Sequence, residues 1–426
     1  MSPRERFVPL DVYLGTEHLG TLEGAGPSRV RFTYDEDARG RFADGTPLLS
    51  ASLPVREERY SNSECKPFFE GLLPEGAIRD QVANQLHVGR DSTYHLLAAL
   101  GADCAGAVVL LPEGAEAPVE ADIVWLSEDE LAERVERLPR APLGIDPDEG
   151  VRLSLAGAQD KLIVVRTPGG RFGQPRGGTP STHIIKPNPE RYPHLVENEL
   201  FCLRVAQCAG LRTARAERIE IAGRASLLVE RFDRSLSGSG HMVRVHQEDF
   251  CQALGVLPTQ KYEDDGGPSI RQSIDLIRGV SSAAAADTLH FIDSLVFNFA
   301  IGNSDSHGKN FALVYEPVGV PHLAPLYDLV STRVYEGLTP ALAMRIGGAS
   351  DPAEVTLTNW DALAAEAGLG RLAARVQDTT ARIVRCVEAQ LDAARAEGWH
   401  VALLDEIAEV VATRAEQLAV DRAVQT

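Results

Sequence analysis

The 426-residue sequence has no long apolar run, no closely spaced cysteine motif and no strongly basic segment. A membrane-spanning helix needs about 18 or more consecutive apolar residues, so none is expected. The six cysteines are scattered without CxxC spacing, and we expect neither a disulfide framework nor a zinc site. The formal net charge of −19 argues against direct binding of DNA or RNA, because neutralising phosphates requires clustered basic residues.

The composition, with 44% hydrophobic and 24% charged residues, is typical of a soluble globular protein. The length favours two or three domains over one simple core. The N-terminal residues lack a long apolar segment followed by a small-residue cleavage site, so a cytoplasmic location is expected.

Lysine is rare in this chain. Of the 42 Lys and Arg residues only five are lysine, namely Lys66, Lys161, Lys186, Lys261 and Lys309. GC-rich codon usage is one explanation for this skew. The other is that lysine was kept where the planar guanidinium of arginine cannot replace a compact ammonium. Lys161 and Lys186, which lie beside the motifs described below, are therefore functional candidates.

Patterning along the chain predicts an α+β protein. Segments VPLDVYLG and SRVRFTYD predict strands near the N-terminus, and KLIVVR, THIIK and SLLVERF predict a β-rich lobe. From about 246 onward the pattern is overwhelmingly helical. The predicted divisions are an N-terminal subdomain at 1–112, a linker with one short helix at 113–149, a β-rich lobe at 150–245 and a helical lobe at 246–426.

Several local signals predict where helices begin and end. Ser127 and Glu130 have capping-box spacing at the start of the short linker helix. A helix at about 195–209 should end at Gly210, and the apolar helix TLHFIDSLVFNFAIG should end at Gly302.

The sharpest chemical signal is the loop GNSDSHGKNF at 302–311. Asp305 and Asn310 have the D-x-x-x-x-N spacing of kinase catalytic loops. This spacing allows Asp305 to accept a proton from a substrate hydroxyl while Asn310 binds Mg²⁺ on the nucleotide phosphates. Asp328, which follows the strand-like FALVYE, is the second predicted ligand, because Mg²⁺ prefers a few hard oxygen ligands together with phosphate oxygens.

Taken alone, this loop does not identify a kinase. The D-x-x-x-x-N spacing also occurs by chance, and Asp305 could be a turn residue bonded to its own backbone. His307 could be a metal ligand, but no second histidine stands at ligand spacing, and a structural brace is the favoured interpretation.

Residues upstream strengthen the kinase interpretation. Lys186 ends the strand HIIK, from which a kinase lysine reaches the nucleotide phosphates, and its alternative is an exposed lysine at a strand end. Glu199 in the following helix is the candidate ion-pair partner, with Glu197 as the weaker alternative. The loop SLAGAQDK at 154–161 is either a phosphate cradle or a tight turn. Phe232 in VERFD is either an adenine-binding wall or a core residue.

The ordered motifs SLAGAQDKL, HIIKP, ENEL, LLVERFDR, HQEDFCQALG, KYEDDGGP and GNSDSHGKNF resemble HipA-type serine/threonine-protein kinases, the toxins of bacterial type II toxin–antitoxin systems. The N-terminal segments LSASLPV, FFEGLLPEG and GADCAGAVVLLPEG also resemble this family. The resemblance therefore covers roughly residues 5–400. It implies a two-lobed kinase-like fold, with a β-rich ATP-binding lobe, an all-helical C-terminal lobe and a small N-terminal α/β subdomain.

The resemblance also implies site residues. Asp305 would be catalytic, Asn310 and Asp328 would bind Mg²⁺, and Glu199 would support Lys186. The nucleotide-binding positions would be Ser154, Ala156, Gly157, Ala158, Lys161, Lys186, Glu230, Phe232, Gln247, His307, Lys309, Asn310, Tyr327 and Asp328. Autophosphorylation of Ser154 would expel the phosphate loop and inactivate the enzyme, because about two negative charges would repel the ATP phosphates.

The implied cofactors are ATP and Mg²⁺, and the implied substrate is a translation-related protein such as an aminoacyl-tRNA synthetase. The implied partner is a small helix-turn-helix antitoxin similar to HipB, through which alone the chain would associate with DNA. Two alternatives stay open. A small-molecule kinase on a related fold could act on a cationic substrate, and a non-catalytic repressor partner would not bind ATP and Mg²⁺ at all.

Overall fold

The fold is described from a computed structural model of the chain. It describes residues 7–115, 121–143, 154–155, 157, 159–238, 241–316 and 318–420. The chain forms two compact units. The first unit comprises Met1–Pro187, Glu220–Thr259 and Leu313–Pro321, and the second comprises Asn188–Ile219, Gln260–Ala312 and His322–Thr426. The sequence divisions at 112, 149 and 245 stay predictions.

The N-terminal part of the first unit contains a four-stranded antiparallel sheet in the order β3-β2-β1-β4. Its strands are β1 (Leu10–Leu14), β2 (Glu17–Gly26), β3 (Arg29–Tyr34) and β4 (Val108–Pro112). Four helices accompany them, α1 (Glu36–Arg41), α2 (Asn62–Gly71), α3 (Gly76–Gln85) and α4 (Thr93–Leu100). Burial alternates along β1 and β3, as expected for strands with one face on a core. The predicted strands VPLDVYLG and SRVRFTYD are thereby confirmed.

A second sheet of the first unit contains strands in the order β5-β7-β6-β8-β10. They are β5 (Asp122–Trp125), β6 (Leu162–Arg166), β7 (Phe172–Arg176), β8 (His183–Pro187) and β10 (Arg224–Glu230). The predicted strands KLIVVR, THIIK and SLLVERF are confirmed as β6, β8 and β10. The segment predicted as a linker contributes β5, which its sequence did not indicate. It also contains α5 (Glu128–Arg137), whose predicted capping box between Ser127 and Glu130 is present.

Short elements make up the rest of the first unit, and some of them lie where the chain passes from one unit to the other. They are β9 (Ala216–Ile221), β11 (Arg234–Leu236), β12 (Met242–Arg244), β13 (His246–Asp249), α7 (Phe250–Ala253), β14 (Ala312–Tyr315) and β15 (Pro321–Leu323). The strand predicted from FALVYE is confirmed as β14, so the C-terminal part of the chain is mainly, but not entirely, helical.

The second unit is built around helices. In the described residues these are α6 (Leu195–Cys208), α8 (Ile270–Val280), α9 (Ala284–Ala300), α10 (Leu357–Glu366), α11 (Ala373–Glu397) and α12 (Ala402–Val420). The core of this unit includes three buried aromatic side chains of α9, Phe291, Phe297 and Phe299. Gly210 and Gly302 follow α6 and α9 with φ angles of +89° and +69°. Both predicted helix ends are confirmed. Glycine is suited to these positions because it adopts the left-handed conformation without steric cost.

One disulfide forms in the second unit, although the scattered cysteines predicted no disulfide framework. Cys208 of α6 is bonded to Cys386 of α11, with the two Cα atoms 5.7 Å apart. The two residues are 178 positions apart in sequence, so only the packing of the two helices brings them together. Among the described residues, no group of three or more His, Cys, Asp or Glu side chains could hold a metal ion. None of the described helices is long and apolar enough to cross a membrane.

Candidate active site

The loop at 302–311 is predicted to carry the catalytic base and is called the catalytic loop below; it begins where α9 ends in the second unit. An added Cβ atom at Gly302 would lie 2.9 Å from side-chain atoms of both Arg333 and Val410. Glycine therefore satisfies both the left-handed backbone and the close packing at this turn. The carbonyl of Gly302 accepts hydrogen bonds from the hydroxyl of Thr332, at 3.0 Å, and from the backbone N–H of Arg333, at 3.1 Å.

Asp305 and Asn310 belong to one hydrogen-bonded turn. The side-chain amide of Asn310 donates to the backbone carbonyl of Asp305 over 2.9 Å. The backbone N–H of Asp305 in turn donates to the side-chain oxygen of Asn303 over 3.1 Å. Because the amide nitrogen of Asn310 is used within the loop, its amide oxygen is the atom suited to bind a cation. The side chain of Asp305 remains 53% exposed. The hydrogen bonds of the turn therefore fix the backbone of Asp305 and leave its carboxylate accessible.

Asp328 is held from both sides in an uncommon backbone conformation. Before it, the N–H of Leu326 donates to the carbonyl of Arg212 over 2.8 Å. After it, Asn198 of α6 bonds both the N–H and the carbonyl of Ser331, at 2.8 and 3.0 Å. Asp328 itself has a φ angle of +51°, which is unusual outside glycine. Such strained positions persist only where neighbouring contacts enforce them, and they cluster at functional sites.

The structure brings Asp328 beside the catalytic loop. The hydroxyl of Tyr327 donates to the backbone carbonyl of Lys309 over 2.7 Å, which places the residues before Asp328 and before Asn310 in contact. Burial, followed by the positive charges of Lys261 and Lys309, lowers the pKa of His307 to about 3, and the charge of Asp328 opposes this shift. These charges therefore all act on one buried, neutral imidazole.

His307 has the environment of a brace. Its side chain is buried, and its ring packs edge-on against Tyr262 with the centroids 5.1 Å apart. The carboxylate of Asp305 lies 3.8 Å from its Nε2 atom. An imidazole that is neutral at physiological pH can support the loop without adding charge beside the acid.

The phosphate loop predicted in the first unit is docked through Ser154. This residue is completely buried. Its hydroxyl donates to the carbonyl of Leu72 over 2.6 Å, and its backbone N–H donates to the carbonyl of Asp103 over 2.9 Å. Both acceptors belong to the N-terminal part of the first unit, so this part of the molecule holds the beginning of the loop.

Further along the same loop, Gly157 and Lys161 are close together. Gly157 has a φ angle of +110°, and a Cβ atom added to it would lie 2.6 Å from the ammonium nitrogen of Lys161. A glycine backbone beside a nearly buried ammonium group is suited to bind phosphate oxygens. Ala156 and Ala158, which were predicted to take part, lie outside the described residues.

The predicted lysine–glutamate pair has one member in each unit. Lys186 lies on β8, opposite Leu227 of β10, and is mostly buried. Glu199 is buried on α6, and its pairing with Lys186 stays a prediction. The alternative acid, Glu197, is bound within the second unit, where it accepts hydrogen bonds from Arg218 at 3.0 Å and from Asn188 at 3.2 Å.

The residues predicted to border the adenine lie at the end of β10, just after it, and in β13. Glu230, the last residue of β10, is exposed, and Phe232 is half-buried. The side chain of Gln247 donates to Asp233 over 3.4 Å. Asp233 belongs to a buried ionic group, called the arginine cluster below, made by Asp103, Arg231, Asp233, Arg234 and Arg244.

Sequence reasoning missed two residues of the second unit that contact Asp305 or the segment after Asp328. The hydroxyl of Tyr262 donates to the carboxylate of Asp305, and Asn198 secures the segment that follows Asp328. Tyr262 follows the rare Lys261, which was a signal that could have drawn attention to it. Asn198 lies in the motif ENEL, which resembles the family, but an asparagine inside a helix did not by itself indicate this role.

The side chains present fit a nucleotide and Mg²⁺. Asn310 and Asp328 offer an amide oxygen and a carboxylate, which is a small set of hard oxygen ligands. Mg²⁺ commonly takes one or two protein ligands and completes its shell with phosphate oxygens and water. The glycine backbone and the ammonium group near Gly157 offer complementary donors for phosphate.

Comparisons with known proteins agree on one family. The model of the HipA N-terminal domain matches residues 10–111, and that of the HipA-like C-terminal domain matches residues 153–393. The protein Y4mE of Sinorhizobium fredii is 42% identical over 378 residues, which cover 84% of this chain and 89% of Y4mE. The serine/threonine-protein kinase toxin HipA of Shewanella oneidensis is 34% identical over 361 residues, 82% of this chain and 80% of HipA.

A solved structure is similar over almost the whole chain. It is the complex of HipA and HipB from Shewanella oneidensis with its operator DNA. The matched chain has a TM-score of 0.82 and 28% sequence identity, and the alignment covers 98% of this chain and 99% of that one. The predicted two-lobed kinase-like α+β fold is thereby confirmed.

Proposed function

We propose a reaction for this chain on one premise, that it belongs to the HipA family of serine/threonine-protein kinases. The chain transfers the terminal phosphate of ATP to a serine or threonine hydroxyl of a protein. It requires Mg²⁺ and acts as the toxin of a toxin–antitoxin pair. A translation-related protein, such as an aminoacyl-tRNA synthetase, is the expected class of substrate.

The observation that carries this proposal is the grouping of Asp305, Asn310 and Asp328. Two contacts support it, the bond from the Asn310 amide to the Asp305 carbonyl and the bond from the Tyr327 hydroxyl to the Lys309 carbonyl. A general base, an amide oxygen and a second carboxylate are the groups that a kinase needs around a transferred phosphate.

Each of these side chains has a distinct role in the proposal. The exposed carboxylate of Asp305 accepts the proton of the substrate hydroxyl. Asn310 and Asp328 hold the metal ion, which when bound neutralises the developing charge on the phosphate oxygens. Lys161, Lys186 and the backbone at Gly157 bind phosphate oxygens of the nucleotide.

We extend the proposal to regulation through Ser154. A phosphate adds three oxygens and up to about two negative charges. The Ser154 hydroxyl is completely buried against the carbonyl of Leu72, so a phosphorylated side chain does not fit this position. Autophosphorylation therefore requires the loop to leave its docked position and prevents its return, which removes part of the phosphate cradle.

The expected partner is a small helix-turn-helix antitoxin similar to HipB. The similar HipA was solved with HipB and operator DNA. The net charge of −19 makes direct DNA binding by this chain unfavourable, so the antitoxin supplies the DNA contacts.

The test is phosphate transfer by purified protein. Wild-type protein with γ-³²P-labelled ATP and MgCl₂ should label proteins of a bacterial lysate, with small cationic alcohols assayed in parallel. Asp305→Asn should lower transfer by about 100- to 10,000-fold, because it removes the general base. ATP with Mg²⁺ should still raise the melting temperature of this variant, since Asn310 and Asp328 remain.

Each alternative has its own outcome in the same assay. Label in the small alcohols alone would favour a small-molecule kinase, and the lack of any ATP-dependent thermal shift would favour a non-catalytic partner. An active Asp305→Asn variant would refute the assignment of the base. Phosphopeptide mapping should find the mark on Ser154 and lose it in Ser154→Ala, whereas a mark elsewhere contradicts the regulatory proposal.

A further inference from the structure

We infer that Tyr262 is a positioning residue for the catalytic base, holding one oxygen of the Asp305 carboxylate so that the other is presented to the substrate hydroxyl. This inference rests on the proposed kinase function. It adds to the reaction a residue that lies 43 positions before the base in the sequence.

The contact that carries the inference is short and specific. The phenolic hydroxyl of Tyr262 donates to the Oδ1 atom of Asp305 over 2.6 Å. The distance is typical of a hydrogen bond from a hydroxyl to a charged carboxylate, the stronger kind of protein hydrogen bond. A carboxylate bonded through one oxygen has a defined rotamer, so its second oxygen has a defined direction.

The ring of Tyr262 is held on the catalytic loop itself. It packs edge-on against the buried ring of His307, with the centroids 5.1 Å apart. The ammonium group of Lys261 lies 5.6 Å from the centre of the same ring. The tyrosine hydroxyl is therefore presented to Asp305 by a ring that the loop supports.

The backbone that carries Tyr262 is anchored at several points of the second unit. The carbonyl of Lys261 accepts the N–H of Gly308 in the catalytic loop, at 3.4 Å. The N–H of Gly267 donates to the carbonyl of Tyr262 over 2.8 Å, and the N–H of Glu263 donates to the carbonyl of Ala343 over 3.0 Å. A Cβ atom at Gly267 would lie 2.2 Å from the carbonyl oxygen of Gln260, so the segment folds tightly on itself.

These anchors favour positioning over gating. A tyrosine that had to leave before each substrate bound would be expected on a segment with few backbone contacts. Here the segment is bound to the catalytic loop through both its backbone and its side chain. The arrangement follows the general logic of enzymes in which a base is oriented by a third group.

The decisive variant is Tyr262→Phe, which removes the hydroxyl and keeps the ring that packs on His307. We expect kcat to fall by between about tenfold and about a hundredfold, because a hydrogen bond to a charged group is lost at the reacting centre. KM for ATP should be unchanged, because the predicted Mg²⁺ ligands Asn310 and Asp328 are kept in this variant. Tyr94→Phe is the matched control, because it removes a hydroxyl that donates to the carbonyl of Val8 in the first unit.

The outcomes separate this inference from the proposed function. If wild-type protein transfers no phosphate from ATP, the kinase proposal fails before Tyr262 is tested. If wild type is active and Tyr262→Phe is equally active or faster, the kinase stands and the positioning role is refuted. A variant with a raised KM for ATP and a lowered melting temperature would also refute it, because that pair of effects indicates general disorder of the loop. The Tyr94→Phe control should match wild type in kcat.

Discussion

The arginine cluster of the first unit and the catalytic loop of the second unit both contain aspartates, but they hold them in opposite ways. Asp103 of the cluster has no exposed surface. It lies 2.9 Å from Arg234, 3.0 Å from Arg244 and 3.6 Å from Arg231. Asp305 of the catalytic loop is half-exposed and bonds to a tyrosine hydroxyl.

The difference shows what each environment does to a carboxylate. Burial by itself would raise the pKa of Asp103, but Arg234, Arg231 and Arg244 together hold it below its usual range. Such an acid stays ionised and remains paired with the guanidinium groups around it. An acid that accepts a proton during a reaction has to remain accessible, as Asp305 does. The paired carboxylate of Asp103 therefore has a structural role, whereas the less buried carboxylate of Asp305 is available for proton transfer.

Glu248 of the first unit is a third case, because it is buried among hydroxyl groups. Ser50, Tyr315 and the backbone N–H of Ala51 donate to its carboxylate. Burial raises its pKa to about 7 despite these hydrogen bonds, and the neighbouring Asp249 adds to the shift. The pKa shifts of Asp103 and Glu248 therefore have opposite signs within one unit.

The largest expected change in stability is for Asp103→Asn. The substitution leaves buried guanidinium groups without one of their acids, and breaking a buried ion pair typically costs about 3 to 5 kcal/mol. We expect the free energy of unfolding to fall by about this amount in urea denaturation. Asp275→Asn is the control, since its exposed pair with Arg271 contributes less than about 1 kcal/mol. Equal effects of the two variants would contradict the structural role of the cluster.

An intermediate effect of opposite sign is expected for Glu248→Gln. A carboxyl group whose pKa is higher in the folded than in the unfolded chain binds its proton more tightly when folded. Its contribution to stability is therefore full at low pH and is lost as the pH rises from about 4.5 towards 7. Glutamine resembles the protonated acid and avoids this loss, so the variant should be more stable than wild type by up to about 3 kcal/mol above pH 7.

The measurement for Glu248→Gln is urea denaturation at pH 5 and at pH 8. The advantage of the variant should be small at pH 5 and should grow to its full value at pH 8. An advantage that does not depend on pH would mean that Glu248 is ionised in the folded protein at both values. In that case the contrast between the two buried acids would be lost.

The smallest expected change in stability is for Asp305→Asn, the variant that should lower phosphate transfer by about 100- to 10,000-fold. An exposed loop side chain contributes little to the core, so the free energy of unfolding should change by less than about 0.5 kcal/mol. Thermal and urea denaturation would check this. A loss comparable to that of Asp103→Asn would show that Asp305 is itself a structural acid, and loss of activity could then no longer be attributed to chemistry.

Much of the fold and of the catalytic loop was predictable from local sequence. The strands β1, β3, β6, β8 and β10 were indicated by runs of apolar and β-branched residues. The ends of α6 and α9 were indicated by Gly210 and Gly302. The spacing of Asp305 and Asn310 lies within one turn, so the geometry of this pair depends on few other residues.

Contacts between distant segments were not predictable in this way. The strand β5 has only four residues, which is too short to show a strand pattern, and it is stabilised by pairing with β7. The bond between Cys208 and Cys386 depends on how α6 and α11 pack. The approach of Tyr262 to Asp305 likewise depends on the anchoring of a separate segment.

The family, several strands and helix ends, and the chemical groups available for phosphate transfer could all be inferred from the amino-acid sequence. These properties depend on residue types at short spacing, where steric preferences and hydrogen bonds between neighbours dominate. The folded structure was needed to see that arginines neutralise Asp103, that Asp305 remains exposed, and that the hydroxyl of Tyr262 bonds to Asp305. Those outcomes depend on burial and on charges contributed by distant segments, because electrostatic interactions are strong only where packing excludes water.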